Sequence, residues 1–88
     1  MKRNEVSISI KVTNRLSARQ SLVVEPWLTE YDLPPGKTLT VIMTGDPAYP
    51  LEIETAPKQV TIHAFDSAGA NYTVLDGGNK ASHIARQG

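Results

Sequence analysis

The amino-acid sequence predicts an all-β protein: one small antiparallel β-sandwich of six or seven strands. Three observations predict it. Apolar and polar residues alternate with a period of two in segment after segment. Clusters of Pro, Gly, Asn and Asp interrupt these segments every ten residues or so, the spacing of sandwiches and barrels. No segment carries the 3.6-residue apolar period of an amphipathic helix.

The clearest strand is the first, "VSISIKVT". Val6, Ile8, Ile10 and Val12 fall on one face, and Ser7, Ser9, Lys11 and Thr13 on the other, so one face is expected in the core. "NRLSARQ" follows as a polar connection that opens with Asn14, a good turn residue. "SLVVEPW" is the second strand, with Leu22 and Val24 sharing a face and Val23 opposite. Pro26 cannot donate a ladder hydrogen bond, so the strand ends there or lies at an edge. The segment around Trp27 and Tyr31 is read as a loop, closed by the "LPPG" turn, where Pro34 and Pro35 fix φ and Gly36 accepts a positive φ.

"KTLTVIMT" is the third strand, with Leu39, Val41 and Met43 inward. After the turn cluster "GDPAYP", "LEIET" forms a short strand with Leu51 and Ile53 in and Glu52 and Glu54 out. "KQVTIHAF" is next, with Val60, Ile62 and Ala64 in and Thr61, His63 and Phe65 on the other face. "YTVLD" is the sixth strand, and the "GGN" after it suits a tight hairpin turn. The tail, residues 80–88, either adds a short last strand or frays.

Eighty-eight residues form a single domain with one core. Nine basic and nine acidic residues cancel, so the chain lacks the positive footprint that phosphate backbones select, and no nucleic-acid partner is expected. The absence of cysteine removes disulfides, thiolate nucleophiles and zinc-thiolate sites, and favours a reducing compartment. Met1-Lys2-Arg3 is followed by alternating residues rather than a continuous apolar run. Neither a signal peptide nor a membrane span is read, and a bacterial cytoplasmic location is expected.

No catalytic constellation emerges. His63 and His83 could meet Asp66 at a metal site only if the last strands paired. The plainer reading is two ordinary imidazoles, and no metal or other cofactor is expected. No serine sits on a glycine-flanked elbow. Glu52 and Glu54 alternate with apolar residues as a solvated strand face does, and such charges discourage edge-to-edge pairing. "DGGN" has no following helix to hold an anion.

The stretch "EPWLTEYDLPPG" carries the strongest functional signal, with Trp27 and Tyr31 among Glu25, Glu30 and Asp32. An aromatic ring with neighbouring carboxylates can stack on a sugar or a peptide and hydrogen-bond it, and aromatic residues anchor protein interfaces. The same rings can instead plug the end of a small sandwich. Glu25, Trp27, Glu30 and Tyr31 are the candidate binding residues.

These residues also carry a resemblance. "EPW" followed by an acidic residue and Tyr, then "LPPG" and an alternating strand, with a late "TVLDGG" hairpin, resembles small bacterial proteins of uncharacterised function. The pattern runs from Asn14 to Gly78. It implies a compact β-sandwich and carries no catalytic residue over. A fainter likeness is to cupredoxin-like sandwiches, whose cysteine ligand is missing here. The expectation is therefore a non-enzymatic binding or protein-interaction module. It would use a sheet edge or the Trp27 segment to contact a protein partner or a second copy. The alternative is a small carbohydrate- or ligand-binding sandwich built on Trp27.

Overall fold

A computed structural model describes residues 5–64 and 69–84. The described chain is all-β: two four-stranded sheets packed face to face, with no helix. The strands are β1 (Val6–Thr13), β2 (Gln20–Glu25), β3 (Thr29–Leu33), β4 (Thr38–Gly45), β5 (Glu52–Thr55), β6 (Gln59–His63), β7 (Asn71–Asp76) and β8 (Asn79–Lys80). The first sheet runs β1-β4-β7-β8 and the second β3-β2-β6-β5.

The strand count reaches eight because the segment read as a loop contains β3, and because Asn79, read as part of the turn, joins Lys80 of the tail in β8. In "TEYDL" the alternation was present: Tyr31 and Leu33 are buried while Asp32 is exposed. Pro26 and the dense acidic residues masked it. Pro26, Trp27 and Leu28 make the turn of a tight β2–β3 hairpin. The Glu25–Pro26 bond is cis, and Leu28 adopts a left-handed φ of 59°.

The pairing also differs from purely antiparallel. Five pairings are antiparallel, but β2 and β6 run parallel, with Ser21 opposite Gln59 and Glu25 opposite His63. The direction of β6 is set by its hairpin with β5. Backbone bonds from Ser21 N–H to the Lys58 carbonyl and from Ala64 N–H to the Glu25 carbonyl extend the parallel ladder at both ends.

The core lies between the sheets. Leu22 and Val24 of β2, Tyr31 and Leu33 of β3, Leu39, Val41 and Met43 of β4, Val60 and Ile62 of β6, then Ala64 and Val74, pack as one cluster. Each fully buried aliphatic side chain among them stabilises the fold by about 1.5–3 kcal/mol. The inward residues expected on β2, β4 and β6 are those observed. Phe65 and Asp66 lie outside the described residues.

Two expected core rows are only partly covered. Ile8, Ile10 and Val12 are half-buried and Val6 is 39% exposed. Ile53 faces the same side as its partner Ile62 but is 48% exposed. Both rows belong to strands at the same side of the sandwich, where the two sheets end without a covering element among the described residues.

Asn14 is more than a turn residue. It is fully buried just beyond β1. Its Nδ2 donates to the carbonyls of Ala18 (2.8 Å) and Leu33 (2.9 Å), and its Oδ1 accepts from the Leu16 N–H (2.8 Å). Its own N–H reaches the Lys37 carbonyl and its carbonyl takes the Gly36 N–H. The side chain thus ties the end of β1 to β3, and the backbone of the same residue ties it to the turn before β4. In that turn, Lys37 N–H bonds to the Pro34 carbonyl and Gly36 has φ 80°, the left-handed value a type II turn requires at its third position.

Candidate functional site

The four candidate binding residues do not converge on one cleft. Tyr31 points into the core and is 6% exposed. Burial, reinforced by the adjoining Tyr72, pushes its phenol above the ordinary value. Glu30 lies on the outer face of the second sheet, opposite Val23, where it accepts a hydrogen bond from the Ser21 hydroxyl at 2.7 Å. Glu25 lies at the end of β2, beside His63. Trp27 caps the hairpin and is 42% exposed, with its ring 4.6 Å from the Tyr72 ring and tilted 43° to it.

The aromatic residues instead form a seam that closes one side of the sandwich. Tyr72 on β7 of the first sheet donates its hydroxyl hydrogen to Thr29 Oγ1 on β3 of the second, at 2.6 Å. Trp27 lies over Tyr72. The segment after β8 crosses between the sheets: Ala81 N–H bonds to the Val74 carbonyl, and Ile84 N–H bonds to the Glu30 carbonyl at 2.7 Å. His83 stands edge-on to Tyr31, with ring centres 6.4 Å apart. The tail therefore leans on the outer edge of β3, and its contact comes from packing that no local pattern announces.

A polar cluster sits on the outer face of the second sheet. His63 Nε2 lies 2.5 Å from Glu54 Oε1 on β5, and its Nδ1 lies 3.3 Å from Glu25 Oε1 on β2. The hydrogen bond to Glu54 holds the imidazole pKa above its ordinary value, with the charges of Glu25, Glu54 and Glu52 adding in the same direction against partial burial. The parallel β2–β6 pairing creates this cluster by setting Glu25 directly beside His63. Among the described residues no group of His, Asp and Glu is arranged to hold a metal ion. Asp66, weighed as a ligand beside His63, lies outside the described residues.

The side opposite the aromatic seam is open. It is bounded by β1, paired only with β4, and β5, paired only with β6, among the described residues. A groove of about 480 Å³ lies at one end of it, with Thr13, Leu16, Pro57 and Val60 among its walls. The two edges differ in kind. β5 is four residues long and carries Glu52 and Glu54. β1 is eight residues long, with an unbroken register against β4 from Val6–Gly45 to Thr13–Thr38. It has no proline, no bulge and one charge, Lys11.

Compared with known proteins, the chain matches no family model, no curated protein and no solved structure. Among the described residues no helix is long and apolar enough to cross a membrane.

Proposed function

We propose that this protein is a non-enzymatic interaction module that takes a partner polypeptide as an added strand along the outer edge of β1. The observation that carries this reading is the contrast of edges. Exposed edges are templates for further pairing, and proteins blunt the ones they keep free by shortening, charging, bulging or covering them. Here β5 is short and acidic, β8 is two residues long, and β3 has the tail's Ile84 bonded to it. Among the described residues β1 has one such device, the charge of Lys11, along an otherwise long, regular and uncovered strand, and its half-buried Ile8, Ile10 and Val12 would gain cover from a neighbour. Strand addition of this kind draws affinity from main-chain bonds and selectivity from alternate side chains.

The test uses a displayed library of extended, β-branched-rich peptides. Supporting hits perturb the backbone amides of Ser7, Ser9 and Lys11 in NMR spectra and lose binding to Ser9→Pro. An edge proline leaves the β1–β4 ladder in place when the replaced N–H faces outward. Hits that perturb only the hairpin tip, or a library with no hits, overturn it. A tip response would favour the second reading, a ligand or carbohydrate site, for which the adjacent exposure of Trp27 and Leu28 speaks.

A further inference from the structure

We infer that the strand added along β1 is β1 of a second copy, running antiparallel about a two-fold axis at Ser9. This rests on the reading of β1 as the docking edge. Three features of the strand point to a copy of itself.

The first is hydrogen-bond phase. Asn14 N–H bonds to the carbonyl of the directly opposed Lys37, so that pair is hydrogen-bonded. Pairs alternate along an antiparallel ladder, so the even-numbered residues of β1 bond β4 and the odd-numbered ones turn their N–H and C=O outward. The hydroxyl contacts agree: Ser7–Thr44 (2.8 Å) and Thr13–Thr38 (2.7 Å) are the close side-chain contacts of non-bonded pairs. Ser7, Ser9, Lys11 and Thr13 therefore present the free row. A two-fold at Ser9 pairs that row with itself, Ser9 against Ser9 and Ser7 against Lys11.

The second is face matching. The same axis sets Val6 opposite Val12 and Ile8 opposite Ile10, twice each. The half-buried apolar row of one copy then continues into that of the other, and the first sheets join into one sheet of eight strands. A slip of one residue opposes apolar to polar positions and breaks the hydrogen-bond phase as well.

The third is charge. Lys11 of one copy comes diagonal to Glu5 of the other, again twice, within the reach of long side chains across a strand pair. Centring the axis on Lys11 would instead oppose two ammonium groups. Moving it nearer the end of β1 would run the pairing into the buried Asn14. Ser9 is the centre that keeps the whole of Val6–Val12 paired and brings unlike charges together.

The experiment exploits a chain without cysteine. Residues facing each other in a hydrogen-bonded antiparallel pair have Cα atoms about 5.5 Å apart, within the range a disulfide spans. Ser9→Cys is expected to oxidise to a covalent dimer at micromolar protein, far faster than Ser7→Cys or Lys11→Cys. In sedimentation, the wild-type chain is expected to show doubled mass that Ser9→Pro and Ser9→Lys both lose, with Trp27 emission unchanged as the folding control. Faster crosslinking at position 7 or 11, or a dimer that survives both Ser9 variants, overturns the Ser9 axis. A wild-type chain monomeric at high concentration overturns self-pairing altogether. In that event peptide hits on the β1 amides would still uphold the docking edge, so the two failures are told apart.

Discussion

The two sides of this sandwich are built by opposite means. On the β3–β8 side, cover comes from aromatic rings and from the tail: Tyr31 is buried, Trp27 lies over Tyr72, and Ile84 bonds to β3. On the β1–β5 side the sheets end without cover among the described residues, and the apolar rows of β1 and β5 are partly in water. The closed side spends Trp27, Tyr31 and Tyr72 on internal cohesion. Among the described residues the open side leaves half-buried apolar surface beside the outer edges of β1 and β5, the surface on which the proposed strand addition rests. The same contrast explains why the residues with the strongest binding signature in the sequence do not form a cleft.

The largest expected effect compares the two sides directly. Tyr31→Ala removes a buried aromatic from the closed side and should cost about 3–5 kcal/mol in chemical denaturation. Ile10→Ala removes a half-buried chain from the open side and should cost about 1–2 kcal/mol in the monomer, below the usual range for a fully buried isoleucine. Equal costs would mean that the open side is already covered in solution, which sharpens the case for a bound second strand.

Asn14 is the pin that fastens the open-side strand to the rest. Asn14→Ala leaves the Ala18 and Leu33 carbonyls without their donor and should lower stability by about 2–3 kcal/mol. Amide exchange should show β1 loosening before β2 and β6. Uniform loosening would break the idea that Asn14 secures β1 in particular.

The hydrogen bond from Tyr72 to Thr29 across the seam is a smaller matter. Tyr72→Phe deletes the hydroxyl that reaches Thr29 and should cost about 1 kcal/mol in thermal or chemical unfolding. Trp27 emission should move to the red if that bond also steadies the indole tilted against Tyr72.

The mildest prediction concerns pH and the open edge β5. His63 has a raised pKa in the folded protein, so it binds its proton more tightly there than in the unfolded chain. Its contribution is therefore fully present below the unfolded value of 6.5 and is lost as pH rises through the higher folded value. Amides of β5 should exchange faster, relative to the chemical rate, on the alkaline side of that transition. His63→Gln should remove the dependence. A β5 that responds identically in the variant would show that the Glu54 contact does not hold this edge.

Much of the fold was legible in the order of residues. Alternation in "VSISIKVT", "TLTVIMT" and "QVTIH" marked strands and their inner faces, because a side chain's face follows from its parity along an extended backbone. Gly36 after two prolines marked its turn for an equally local reason. β3 was harder to see. Its alternation spans five residues, starts behind a proline and is crowded with charge, so the aromatic content read as a loop. Asn14 looked like any turn asparagine, since nothing local indicates that Leu33, nineteen residues on, supplies a carbonyl to it. The tail's contact with β3 is invisible for the same reason.

The sequence by itself determined the fold class, the parity of nearly every strand and the two-layer architecture. Those follow from local sterics, periodicity and composition. Only the tertiary structure decided which strands became edges, that β2 and β6 run parallel, that Glu25 and Glu54 meet His63, and that Tyr31 is core while Ile53 is surface. Parity says which way a side chain points. Whether anything lies there depends on strand order, and strand order is set by contacts between residues far apart in the chain.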